Sequence, residues 1–71
     1  MQRYLMIIEA TSTGYSAYSP DLAGCVAAGA SRADVERAMR EAIELHLEGL
    51  RDAGLPIPVG VTSATYVEVA A

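Results

Sequence analysis

Lysine is absent from this 71-residue chain, and its five basic residues, all arginines, face nine acidic ones for a net charge of −4. With no basic run, the chain has little to hold a phosphate backbone, which argues against direct DNA or RNA binding. The single cysteine cannot close an intrachain disulfide, and no Cys/His cluster has metal-ligand spacing. No apolar stretch approaches the roughly 18 residues of a membrane span. The first apolar run meets Glu9 without a small-residue cleavage site. These absences predict a cytoplasmic protein with no membrane association.

What is present is small. Hydrophobic residues make up 52% of the chain, but thirteen of them are alanine, so the side chains large enough to build a core are few. A chain of this length buries only about 60% of its unfolded surface and commonly needs a disulfide, a metal or a partner subunit. With the first two lacking, the expectation is a homodimer or higher oligomer. The length predicts one domain over residues 1–71, with no separate DNA-binding domain.

Along the chain, Tyr4 to Ile8 is a continuous apolar run ended by Glu9, the pattern of a central strand buried on both faces. Gly14 lies in the turn to a second strand over Tyr15 to Ser19, and Pro20 to Gly24 break the ladder before a short third strand from Cys25 to Ala28. Ser31 and Asp34 form a capping-box variant that starts a helix at Arg32. At about 100° per residue, Val35, Met39, Ala42, Ile43, His46, Leu50 and Ala53 share one stripe, opposite a charged one. Glu36/Arg40, Arg37/Glu41 and Arg40/Glu44 stand four residues apart, the spacing of helix ion pairs. Gly54 ends the helix, and the β-branched and aromatic stretch Val61 to Val69 reads as a fourth strand. The order β-β-β-α-β predicts a two-layer α+β fold. A right-handed crossover that sets the last strand beside the first gives a mixed four-stranded sheet of order 3-2-1-4, with one amphipathic helix on one face. The other face then lacks a cover, which again points to a second subunit.

Cys25 and His46 are the residue types of a thiol nucleophile and its base, but a cysteine among small apolar residues behaves as a small hydrophobe. His46 lies mid-stripe on the helix rather than at a cleft edge. Glu9, Glu41 or Glu44, and Glu68 loosely match the layout of a two-metal nuclease, yet Glu41 and Glu44 are on the helix's polar side and do not converge with the other two. No phosphate loop and no triad spacing appears. The residues therefore predict no catalytic, cofactor or metal site. Tyr15, Tyr18, Asp21 and Leu22, flanking a turn, are the candidate partner-binding residues, since tyrosine is enriched at protein interfaces.

The stretch Gly14-Tyr-Ser-Ala-Tyr-Ser-Pro-Asp-Leu-Ala-Gly-Cys-Val-Ala-Ala-Gly29, continued by Ser31 and Asp34, by Glu41 to Leu50 and by Gly54-Leu-Pro-Ile-Pro58, resembles the HicB-like antitoxins along nearly the whole chain. Ala23 stands where that family commonly has proline. The resemblance implies a partly degraded ribonuclease H-like fold and a non-catalytic role. It implies binding to a small basic HicA-type toxin, an mRNA-cleaving ribonuclease whose active site the antitoxin covers. An acidic chain suits such a partner through long-range attraction. The readings set beside it are a residual metal-dependent nuclease of ribonuclease H type and a purely structural oligomer without a toxin.

Overall fold

The structure is a computed structural model and describes residues 2–71. Its sheet is a three-stranded antiparallel meander of order β1-β2-β3, with β1 Ile7–Ala10, β2 Tyr15–Tyr18 and β3 Val26–Gly29. The β1–β2 turn is closed by Thr11 N–H donating to the Gly14 carbonyl at 2.8 Å and by the Thr11 hydroxyl oxygen accepting from Gly14 N–H at 3.1 Å. Threonine at the first turn position offers the backbone a local acceptor, which is why the hairpin forms here.

Helix α1 runs Arg32–Asp52 and begins where the capping signal places it: Ser31 is extended and its Oγ accepts from Asp34 N–H at 3.1 Å. After the C-cap residue Ala53, Gly54 adopts φ +69° and reverses the chain, a conformation that costs glycine little. The ion pairs on the exposed face differ from those expected. Arg32 pairs with Glu36 at 3.6 Å and Arg37 reaches back to Asp34, both within the first turns of the helix. Exposed pairs of this kind contribute a few tenths of a kcal/mol each.

Period-two alternation divides the sheet into two faces. Ile8, Ala17 and Ala27 form one cross-strand row, and Ala10, Tyr15 and Gly29 the next; these face the helix. Alanine and glycine dominate these rows because the helix packs close, chiefly over β3 and β2. A Cβ on Gly29 would meet Val35 N at 2.6 Å and Val35 Cα at 2.9 Å. Val35 and Met39 on the helix, Leu22 and Cys25 on the β2–β3 loop and Ala17 on β2 are the buried core. The opposite face carries the rows Ile7–Tyr18–Val26 and Glu9–Ser16–Ala28, and nothing within the described residues lies over them.

Two expectations differ from the sheet as described. Val61 to Val69, expected as a fourth strand, make no ladder among the described residues and are exposed, so the sheet shows the 3-2-1 part of the expected order. Consequently β1 starts at Ile7 rather than Tyr4 and lies at a sheet edge, with residues 4–8 half-buried instead of buried on both faces. Val61 to Val69 belong to an arm, residues 60–71, whose first residues, 60–62, are its stem. Gly60 presses against the Arg3 carbonyl so closely that a side chain has no space there, and residues 60–64 run beside residues 3–6, upstream of the β1 ladder. The stem is held before it reaches the strand it was expected to join.

Candidate partner-binding surface

The β2–β3 loop is a tight structure. Leu22 N–H donates to the Ser19 carbonyl and Cys25 N–H to the Leu22 carbonyl, each at 3.2 Å, with Gly24 at φ +77° completing the reversal. This folding turns Leu22 inward, leaving it 1% exposed, and presents Asp21 outward. Asp21 then binds the chain forty residues on. Its Oδ2 accepts from Val61 N–H at 3.1 Å and Thr62 N–H at 3.0 Å, and its Oδ1 accepts from the Thr62 hydroxyl at 2.7 Å. The Thr62 donors, more than the opposing desolvation, hold the Asp21 carboxyl below the usual carboxylate range. A second tie lies nearby: the Tyr4 hydroxyl donates to the Pro58 carbonyl at 2.6 Å.

Four residues were expected to form one binding surface, and the structure distributes them over two. Tyr15 is on the helix-facing side and packs against the core, while Tyr18, three positions on, is on the open side and 41% exposed. Leu22 is a core residue, and Asp21 is occupied by the stem of the arm. The open face offers a different set: Ile7, Tyr18 and Val26 in one cross-strand row, with Val26 67% exposed. Ile7 and Val26 were not singled out from the sequence. The signal for them was strand register, which makes them Tyr18's neighbours on the same face.

The residues considered for chemistry stand apart. Cys25 is buried among core residues, and burial pushes its thiol pKa up, away from the thiolate that nucleophilic chemistry needs. His46 is half-buried along the helix stripe, and Glu9, Glu41, Glu44 and Glu68 are all exposed, on β1, α1 and the arm. Among the described residues no group of three His, Cys, Asp or Glu side chains could hold a metal ion. Among the described residues no helix is long and apolar enough to cross a membrane. The Ser19 hydroxyl, just after β2, is buried with no hydrogen-bond partner among the described residues.

Comparison with known proteins gives three matches. Residues 4–70 match the family described as HicB-like antitoxin of bacterial toxin-antitoxin system. A UPF0150 protein of Helicobacter pylori strain J99 is 46% identical over 44 residues, which are 62% of this chain and 61% of that protein; the match thus spans less than two thirds of the relative's length. A chain of the solved HicA3 and HicB3 toxin-antitoxin complex superposes with a TM-score of 0.72 at 35% sequence identity, over 84% of this chain and 70% of that one.

Proposed function

The chain belongs to the HicB-like antitoxin family of bacterial toxin-antitoxin systems, and from that membership we propose that it is a non-catalytic antitoxin module that binds a small basic HicA-type toxin and occludes its mRNA-cleaving site. The observation that carries this is the likeness in both fold and sequence to a chain of the HicA3 and HicB3 complex. The net charge of −4 supports the same partner, because an acidic surface raises the rate of encounter with a basic one. We read the open sheet face around Tyr18, with Ile7 and Val26, as the contact surface, and Asp21, Tyr15 and Leu22 as the residues that hold its rim in shape. The finer features of the fold belong to this reading as well: a degraded ribonuclease H-like sheet whose fourth strand, in the order 3-2-1-4, is Val61 to Val69. So do a homodimeric or larger assembly and a cytoplasmic location. No observation favours the nuclease reading, since the candidate carboxylates are dispersed.

The test is inhibition of RNA cleavage. A purified HicA-type ribonuclease is mixed with increasing amounts of the chain and its digestion of mRNA followed. Stoichiometric loss of cleavage, weakened by Tyr18→Ala or Val26→Asp, is expected; full cleavage with no complex on gel filtration overturns the proposal.

A further inference from the structure

The chain exposes more than its size requires. Its accessible surface is 5502 Å² for 7.5 kDa, whereas a compact monomer of that mass exposes about 4,200 Å². Its radius of gyration is 14.0 Å, against about 11 Å for a compact chain of this length. The excess lies in the arm: Val61 to Ala71 are all exposed, with Tyr66 at 102% and Val67 and Val69 at 77% and 76%. Beyond Thr62 no backbone hydrogen bond joins the arm to the rest of the described residues. The arm nevertheless has a strand's composition, with Thr65, Val67 and Val69 on one side and Tyr66 and Glu68 on the other. At the same time β1 presents a row of unpaired backbone donors and acceptors along its outer edge.

We propose that residues 64–70 of the arm add as a fourth strand to the free edge of β1 in a second copy of this chain, so that two copies exchange arms. The inference rests on the oligomeric part of the functional reading and specifies its geometry. One chain carries both an unpaired strand and an unpaired edge, so a two-fold pair satisfies both with the same surface used twice. The stem supports this: pinned to Asp21 and to the backbone around Arg3, it fixes where the arm leaves the body while the rest stays free to reach outward. The area agrees too. An excess of roughly 1,200 Å² per chain covers the approximately 800 Å² per partner of a standard interface. Residues 61–71 carry only Glu68 and β1 only Glu9, so contact between them brings little of the chain's negative charge together.

Sedimentation of the full chain tests the assembly, and isotope-filtered NMR on a mixture of labelled and unlabelled chains tests the exchange. The expected results are twice the 7.5 kDa chain mass and interchain NOEs between residues 65–69 of one copy and 7–10 of the other. Val67→Pro, which removes a ladder donor mid-strand, is expected to shift the mass to that of a monomer while helical circular dichroism is retained. A dimer unchanged by Val67→Pro overturns arm exchange and leaves oligomerisation standing. A monomeric full chain overturns both; an arm that orders only when a toxin is added overturns exchange, as do NOEs confined within one chain, which show the arm folded onto its own edge. Should Val67→Pro not fold, the interchain NOEs of the unaltered chain decide.

Discussion

At Leu22 the backbone of a seven-residue surface loop turns an apolar side chain into the core, although its position beside Pro20 and Asp21 suggested a partner contact. The loop's own hydrogen bonds do this, and such bonds are invisible in composition. Leu22→Ala should therefore lower folding stability by about 2–5 kcal/mol, the cost of a large apolar truncation in a core. Urea unfolding measures it, and an unchanged midpoint would place Leu22 outside the core. Tyr15 and Tyr18 teach a related lesson. Both are aromatic residues on one strand, but their spacing of three assigns them to opposite faces. The residue types signalled an interface, and the strand period alone could have separated the tyrosine that faces outward from the one that does not.

The elements that were legible are those whose signals are local. Ser31 with Asp34 marked the helix start, Gly54 its stop, and the Thr11 to Gly14 turn the hairpin, each within a few residues of the hydrogen bonds it governs. The arm was legible only as a strand-like composition, because a strand needs a partner edge and the controlling tie comes from Asp21, forty residues earlier. That tie predicts a pH dependence. The hydrogen bonds depress the Asp21 pKa in the folded chain, so their contribution is complete above the value of the unfolded chain and is lost as pH falls through the lower folded value. An NMR titration should show the Val61 and Thr62 amide signals moving with one midpoint below the usual aspartate range. Asp21→Asn should remove that midpoint and free the stem, and a midpoint at the ordinary value would refute the tie.

Taken as a whole, the molecule explains its alanine excess. Small side chains at Ala17 and Ala27, beside Gly29, let one helix lie close on a short sheet. The core is thin because the layers are near, and the surface it cannot cover is left on the open face and the arm. The acidic balance adds a test that separates two associations. Salt screens attraction between opposite charges and repulsion between like ones, so added salt should slow capture of a basic toxin and strengthen pairing between two copies of a chain carrying −4. Stopped-flow association and sedimentation at low and high ionic strength measure the two effects, and the same sign in both would refute the charge argument. Cys25, finally, gives the molecule an internal clock. Its sulfur lies in the core and is held as the unreactive thiol, so a thiol-specific reagent reaches it only when the loop lifts from the helix. The rate of labelling then counts how often the domain opens, and any partner that closes it will slow that clock.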